Sequence, residues 1–238
     1  MMDNQFKHTI GILGGVGPAA TAYAHSRLIS ICQSDYAAIQ DIDFPSVVVI
    51  NYPIQGIDET GYQANYLAKS SLEHSVGDGL GLLEQAGAQV VYMACNTLHG
   101  YSHLVKNTSM DDISIINSAT EYLQANNFNK VTVLSSRATR REELYASALK
   151  KRGLDYRNIT DEEQTVIDNV IMSGMSGKNK DQAAAKLRAV ISNSLKDSEV
   201  VVLGCTELSL IINQETIVSN QVIDSQEIAL RNILEKVR

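Results

Sequence analysis

The sequence predicts an α/β protein of two similar lobes, each a parallel sheet flanked by helices. Short β-branched runs alternate with longer segments of helical periodicity along the 238 residues, a pattern typical of parallel strands joined by right-handed crossovers. Residues 90–98 and 200–208 are near copies, each an apolar strand, a cysteine and the start of a helix. We therefore expect Cys95 and Cys205 to occupy equivalent positions, with their thiols in a cleft between the lobes.

The first lobe is predicted as a βαβαβ unit. Strands are expected at residues 9–13, 46–50 and 90–94, where apolar and β-branched residues cluster. A helix at 18–33 begins at Pro18, since proline suits the first helical turn. A second helix, at 66–85, ends before Gly87, because glycine commonly follows the last turn of a helix.

The second lobe repeats the alternation. Strands are predicted at 113–116, 131–135 and 200–204, and helices from about 119, at 142–152 and at 181–195. The last strand, 222–224, and the terminal helix, 226–237, are expected to return to the first lobe. The predicted lobes are residues 1–107 with 215–238, and residues 108–214, joined near 101–112 and 211–219.

Composition excludes several classes of protein. A net charge of −7 disfavours a nucleic-acid binder, which normally carries a basic face. No basic leader is present and no stretch approaches the ~18 apolar residues of a membrane span, so we expect a cytoplasmic protein without a membrane partner. Three cysteines without a CxxC pair indicate reduced thiols rather than a disulfide framework or a structural zinc site.

A free cysteine is most often a buried apolar residue, and Cys32, in the middle of a predicted helix, is interpreted in this way. Cys95 and Cys205 differ because each ends a buried parallel strand, where α/β sheets bind ligands. The helix that follows each of them favours the thiolate. Two thiols that face each other across a substrate could transfer protons on opposite faces of one carbon.

The glycine-rich turn after the first strand has two interpretations. Gly15, Gly17 and Ala20 match the GxGxx(G/A) dinucleotide fingerprint, which also requires an acidic residue at the end of the second strand. That strand ends at Asn51 and Tyr52, without a carboxylate. We therefore predict a turn whose backbone amides approach a small carboxylate, and nicotinamide binding is the weaker alternative.

Three segments, in this order and spacing, resemble the aspartate/glutamate racemase family: GILGGVGPAATA at 11–22, CNTLH at 95–99 and GCTE at 204–207. The resemblance covers essentially the whole chain. The GGxGP turn and the CTE motif resemble the aspartate racemase branch, since the glutamate racemase branch carries CTH at the second motif. Hydantoin racemases, arylmalonate decarboxylases and maleate isomerases share the architecture, so the motifs do not define the substrate.

The resemblance implies a cofactor-independent, two-base racemisation of a small amino acid by a homodimer. Cys95 and Cys205 would be the catalytic acid and base, with fixed donors that stabilise the carbanion. The amides after Gly14 and Cys95 are candidate donors, and the family places hydroxyl donors at the strand end 134–139. The candidate substrate-binding residues are Gly14, Gly15, Val16, Gly17, Asn96, Thr97, Ser136, Arg137, Thr139, Thr206 and Glu207.

Two other side chains near the cysteines have competing interpretations. Glu207 could assist Cys205 as a base or hold the substrate ammonium, or it could be a carboxylate favoured at a helix start. His99 is expected to form a supporting hydrogen bond, and His103 to lie in solvent. Cys95, His99 and His103 at four-residue steps form a weaker metal hypothesis, and a cysteine hydrolase would leave Cys205 without a role.

The chain departs from the family where the substrate side chain would bind. The aspartate racemases it resembles hold the second carboxylate with an arginine and a lysine, and this chain has Glu59 and Ser176 there. Arg137 or Lys178 could replace them, although Arg137 could equally be a surface residue. Aspartate or glutamate is the expected substrate. The alternatives are a broad-specificity racemase, a thiol-dependent isomerase or decarboxylase of the same fold, and a non-catalytic amino-acid-binding protein.

Overall fold

A computed structural model of the chain describes residues 5–54, 66–212 and 221–238. It confirms the predicted α/β class, with two four-stranded parallel sheets flanked by helices. The first sheet has the order β2-β1-β3-β4, with β1 at Ile10–Gly14, β2 at Val47–Asn51, β3 at Val90–Met93 and β4 at Asp111–Asp112. The second has the order β6-β5-β7-β8, with β5 at Lys130–Ser135, β6 at Asp155–Arg157, β7 at Val200–Gly204 and β8 at Val222–Asp224.

Helices connect these strands. The first half of the chain contains α1 at Pro18–Tyr36, α2 at Tyr66–Gln85, α3 at Ile115–Ala125 and two 3₁₀ helices at Asp41–Asp43 and Thr97–Asn107. The second half contains α4 at Arg137–Arg141, α5 at Leu144–Lys151, α6 at Asp161–Ser176, α7 at Lys180–Ser194, α8 at Thr206–Ile211 and α9 at Ser225–Val237. Across the described ranges, none of the helices combines the length and apolar character needed to cross a bilayer.

The central strand β3 is covered on both faces. Val90 and Tyr92 pack in the same apolar cluster as residues of α1 and α9, whereas Val91 and Met93 pack with residues of α2. Every residue of β3 and of its counterpart β7 is buried. A strand buried on both faces has a continuous apolar sequence, and this explains why both strands are evident from the sequence.

The two sheets place the two cysteines equivalently. Leu13 lies opposite Met93 in the first sheet, and Leu134 lies opposite Leu203 in the second. Cys95 comes two residues after Met93, and Cys205 comes two residues after Leu203. The two cysteines therefore occupy matching positions in the two sheets, as the repeated sequence predicts.

The last helix of each half packs on the sheet of the other half. α3 follows the first sheet but shares an apolar cluster with β5 and β7 of the second, through Ile116, Ala119 and Leu123. α9 follows the second sheet but packs against β1 and β3 of the first, through residues such as Leu230 and Ile233. This exchange interlocks the two halves along the junction where the site residues lie.

The predicted strand at 113–116 is wrong. The strand in this region is β4, at Asp111–Asp112, and it pairs with β3 in the first sheet. Ile115 already belongs to α3, whose start is capped by Ser114, because the Ser114 hydroxyl accepts a hydrogen bond from the amide of Asn117 at 3.3 Å. The apolar run of 113–116 resembles a strand in sequence, but the capping serine within it marks a helix start.

The last strand and the last helix belong to different sheets, whereas the prediction places both with the first lobe. The terminal helix does return to the first sheet, but β8 pairs with β7 in the second sheet. The expected boundaries near residues 107 and 215 therefore each misplace one edge strand: β4 belongs to the first sheet and β8 to the second. Short edge strands have little sequence signal, because only one neighbour defines them.

Three elements of the second half have no counterpart in the prediction: α4, β6 and α6. The start of α6 has a capping box, in which Thr160 and Glu163 exchange side-chain to backbone hydrogen bonds, and this is a sequence signal for a helix start. The predicted helix at 142–152 is shorter, because Glu143 has a left-handed backbone with φ 51° that separates α4 from α5.

Candidate active site

Cys95 lies two residues after the end of β3 and Cys205 directly follows β7, and they are 4% and 6% exposed. Cys95 packs in an apolar cluster that includes Val16 and Leu98. A helix follows each cysteine, as the sequence predicts: a 3₁₀ helix after Asn96, and α8 immediately after Cys205. Cys32, by contrast, is fully buried within α1, and burial raises its pKa to about 11, so it is a core residue as expected.

Close polar contacts join the segments around Cys95 and Cys205. Thr206 Oγ1 lies 3.5 Å from the carbonyl oxygen of Ala94, so the residue after one cysteine contacts the residue before the other. Thr97 Oγ1 lies 2.9 Å from Thr139 Oγ1 and 3.2 Å from Ser136 Oγ. The structure therefore brings the carboxyl ends of the central strands of both sheets together.

Thr97, Ser136 and Thr139 form a buried cluster of hydroxyls. Ser136 caps α4 by accepting a hydrogen bond from the amide of Thr139 at 3.3 Å, which fixes the turn after β5. Both residues are 1% exposed. Because a hydroxyl hydrogen rotates, each group can donate to an anion placed beside the cluster. These predicted residues thus meet in one place, although they come from both halves of the chain.

Glu207 is the charged partner of Cys205. Its carboxylate accepts hydrogen bonds from the Cys205 thiol, with Sγ to Oε2 at 3.1 Å, and from the Thr206 hydroxyl at 3.2 Å. Glu207 is 3% exposed. Burial raises the pKa of the Glu207 carboxyl, while the two hydrogen bonds oppose that shift. A carboxylate in this position can accept the proton of the thiol.

The glycine turn contacts Glu207. Gly17 has φ 75°, and a Cβ at this position would collide with the Glu207 carboxylate. Gly15 has φ 108°, and a Cβ there would collide with the carbonyl of Tyr52. Both positions need glycine, because the turn has a left-handed backbone and passes against other groups. The Gly15 amide, one of the expected carboxylate donors, donates instead to Thr21 Oγ1 over 3.4 Å.

Asn96 has partners that the sequence analysis missed. Its Oδ1 accepts a hydrogen bond from the Tyr145 hydroxyl at 2.6 Å and lies 3.5 Å from Ser225 Oγ. Its Nδ2 is buried and has no partner among the described residues. Ser225 directly follows a strand, which is a signal that could have indicated it. Tyr145 lies within a helix, and nothing in its local sequence marks it.

His99 supports the fold around the site. It is buried, its Nε2 accepts a hydrogen bond from the amide of Ile115 at 3.3 Å, and Ser102 Oγ lies 3.4 Å from its Nδ1. Burial lowers the pKa of His99 to about 4, so the ring is neutral and can accept. In the described ranges, no three His, Cys, Asp or Glu side chains are grouped to hold a metal ion, so Cys95, His99 and His103 do not form such a group.

The two candidate cations lie in separate environments. Both Nε and Nη2 of Arg137 donate to Asp168 Oδ2, at 3.0 and 2.8 Å, so its guanidinium forms an ion pair within the second half. Lys178 is exposed and lines a groove between α6 and α7. Glu59 lies outside the described residues. Arg137 is thus already paired, and Lys178 lines a surface groove of the second half.

The structure is a duplicated α/β fold with one cysteine at the end of a central strand of each sheet. Comparisons with known proteins identify the class of enzyme to which this chain belongs. The family model of Asp/Glu/hydantoin racemases matches residues 13–233. The chain belongs to the Asp/Glu/hydantoin racemase family, as its motifs predict, and is a racemase, an isomerase.

Individual relatives are distant in sequence but similar along their whole length. The broad specificity amino-acid racemase RacX of Bacillus subtilis is 22% identical over 205 residues, which cover 86% of this chain and 87% of RacX. The structure of an aspartate racemase from Picrophilus torridus has a TM-score of 0.81 at 25% identity, covering 97% of this chain and 94% of that one. An aspartate racemase homologue from Pyrococcus horikoshii OT3 has a TM-score of 0.75 at 26% identity, covering 97% and 99%.

Proposed function

We propose that this racemase needs no cofactor and exchanges the α-proton of an amino acid between two bases, Cys95 and Cys205. The observation that carries the proposal is the equivalence of the two thiols at the ends of β3 and β7, whose flanking residues are in contact, with Thr206 Oγ1 3.5 Å from the carbonyl oxygen of Ala94. A substrate α-carbon held between them would meet one thiol on each face. One thiolate removes the proton while the other thiol donates one, and the roles reverse for the other enantiomer.

The donors around the site support stabilisation of the carbanion. Loss of the α-proton places negative charge on the substrate carboxylate, which then resembles an enolate. The buried hydroxyls of Thr97, Ser136 and Thr139, together with Asn96 Nδ2, are donors already held in place by the fold. Fixed donors in a site without water stabilise a developing anion far more than the same groups in solution. We assign the substrate carboxylate to this group of side chains.

The two bases are not equivalent in their surroundings. Glu207 follows Cys205 by two residues and accepts its thiol proton, whereas Thr97 occupies the corresponding position after Cys95. Transfer of the Cys205 proton to Glu207 breaks the S–H bond, forms an O–H bond and leaves a thiolate ready to act as base. Glu207 therefore assists Cys205 and has no counterpart beside Cys95 at that sequence position.

The side chain of the substrate has two candidate classes. An acidic amino acid would follow from the resemblance, and its second carboxylate would need Arg137 or Lys178, since a buried unpaired carboxylate costs several kcal/mol. Arg137, however, already pairs with Asp168 over 2.8 Å. Because Arg137 is already paired, we favour the second class, a broad range of amino acids. The relative RacX is named a broad specificity amino-acid racemase. We further propose, from the resemblance, a homodimer in the cytoplasm.

A panel of L-amino acids in D₂O tests the proposed reaction. We expect at least one amino acid to gain deuterium at the α-carbon and to give both enantiomers, because protonation from the second face completes racemisation. Proton NMR and chiral chromatography measure the two events separately. Activity should survive treatment with chelator and with borohydride. If no amino acid exchanges its α-proton, or if the substrate loses CO₂ instead, the proposal is wrong.

Replacing Arg137 with alanine distinguishes the two substrate classes. If an acidic substrate is held by Arg137, KM for aspartate or glutamate should rise roughly 10- to 200-fold, the loss of a hydrogen bond to a charged group. KM for neutral amino acids should stay unchanged. Arg140→Ala is the matched control, because Arg140 lies on the same helix and pairs with Asp161. Lys178→Ala tests the second candidate cation in the same way. An unchanged KM for acidic substrates in both Arg137→Ala and Lys178→Ala selects the broad-specificity class.

A further inference from the structure

The side-chain amide of Asn96 has a defined orientation in the structure. Asn96 is 2% exposed and directly follows Cys95. Its Oδ1 lies 2.6 Å from the Tyr145 hydroxyl, a short hydrogen bond, whereas its Nδ2 has no partner among the described residues. A buried amide nitrogen normally has a hydrogen-bond acceptor. The amide therefore holds its oxygen in the protein and leaves its two N–H donors for another acceptor.

The available hydrogens identify which hydroxyl holds the amide. Ser225 Oγ also lies near Asn96 Oδ1, at 3.5 Å, but it is only 2.7 Å from the carbonyl of Leu203. A carbonyl oxygen can only accept, so the single hydroxyl hydrogen of Ser225 is directed to Leu203. The phenolic hydrogen of Tyr145 is then the one that bonds to Asn96 Oδ1.

Tyr145 is itself fixed between the two cysteine segments. It is 3% exposed and packs in the apolar cluster of α3, α5 and the second sheet. The edge of its ring lies so close to Gly204 that a Cβ there would be 3.0 Å from Tyr145 Cε2. Gly204 immediately precedes Cys205, and Asn96 immediately follows Cys95. One rigid side chain thus touches both segments, with its ring on one and its hydroxyl on the other.

We propose that Tyr145 is a positioning residue, which orients the Asn96 amide so that Nδ2 donates to the substrate carboxylate. This inference rests on the proposed function. If the amide were reversed, Nδ2 would point at the Tyr145 oxygen and Oδ1 would face the carboxylate, where two acceptors repel each other. Tyr145 selects the productive orientation because its hydroxyl has one hydrogen, and that hydrogen is best used on the amide oxygen.

Tyr145→Phe removes this hydrogen and keeps the ring. We expect kcat/KM to fall about 5- to 10-fold, since one hydrogen bond no longer selects the amide orientation, with the larger part of the change in KM. Tyr92→Phe is the matched control. Tyr92 is also fully buried, and its hydroxyl donates to Gln226 Oε1 at 3.2 Å. Both variants should lose a similar amount of thermal stability, but only Tyr145→Phe should alter the kinetic constants.

A double-mutant cycle with Asn96→Ala separates positioning from a general structural effect. Once the amide is removed, adding Tyr145→Phe should change kcat/KM by less than about 2-fold, because there is nothing left to orient. The proposal is wrong if the effects of the two substitutions on kcat/KM multiply as independent effects would. It is also wrong if Tyr92→Phe lowers kcat/KM as much as Tyr145→Phe does.

The orientation can also be measured without turnover. In a ¹⁵N-labelled protein, the side-chain amide signals of Asn96 are assigned by their loss in Asn96→Ala. Tyr145→Phe should shift or broaden these signals, and Tyr92→Phe should leave them in place. Signals that do not change in Tyr145→Phe would overturn the inference. If the amide responds as expected but the wild-type protein exchanges no α-proton, the positioning by Tyr145 stands and the proposed function fails.

Discussion

Alanine at either Cys95 or Cys205 should lower the racemisation rate by about 10³-fold or more, because each direction of the reaction needs an acid on one face and a base on the other. Each variant should nevertheless retain exchange of the α-proton with solvent for one enantiomer. The surviving thiol still faces one side of the α-carbon, so the two variants should act on opposite enantiomers. Polarimetry measures racemisation, and NMR in D₂O measures exchange for each enantiomer separately.

Cys32→Ala is the control for the loss of a buried thiol. Cys32 is fully buried in the core around α1, so its removal should lower the melting temperature and leave the turnover number unchanged. Iodoacetamide should inactivate the wild type and should do so more slowly when substrate is bound, since the substrate would enclose both thiols. Racemisation near the wild-type rate in either Cys95→Ala or Cys205→Ala would contradict the two-base assignment.

Glu207→Gln should lower kcat by about 10²-fold, because the amide cannot accept the proton of Cys205. Glu207 must be ionised to act, and burial raises its pKa above the ordinary value for glutamate. Wild-type activity should therefore fall as the pH is lowered through this raised pKa. That acid limb should be absent from the pH profile of kcat in Glu207→Gln, since glutamine does not titrate.

Stability provides an independent measurement for the same substitution. A raised pKa means that the folded protein binds the Glu207 proton more tightly than the unfolded chain. Stability therefore falls as the pH rises from the unfolded pKa to the raised folded pKa, and the full penalty of ionised Glu207 is present above it. Glu207→Gln should then be at least as stable as the wild type at neutral pH. Glu227→Gln is the control: Glu227 is also buried but pairs with Arg27 at 2.7 Å, so this variant should lose stability and keep the wild-type pH profile. An unchanged pH profile in Glu207→Gln would remove Glu207 from the mechanism.

Much of the fold follows from local sequence patterns. β3 and β7 are apolar over their whole length because helices cover both faces, and such strands are evident in a single sequence. The duplicated context of Cys95 and Cys205 also predicts their equivalent positions, since the same strand, turn and helix signals recur. Elements with weak local signals differ from the prediction. β8 has the predicted bounds but pairs in the second sheet, and the predicted strand at 113–116 overlaps the start of α3, with the short edge strand β4 just before it.

Local patterns are sufficient to predict the α/β class, the family and the pair of strand-end cysteines, because strand burial, turn glycines and short motifs are encoded by neighbouring residues. Which side chains meet between the two halves of the chain depends on the packing of distant elements. The contact between Gly17 and Glu207 and the bond between Tyr145 and Asn96 join residues far apart in the chain. The Arg137–Asp168 pair likewise joins two elements of the second half. Such contacts depend on how the helices and sheets pack, and no local pattern specifies which distant partner a polar side chain will find.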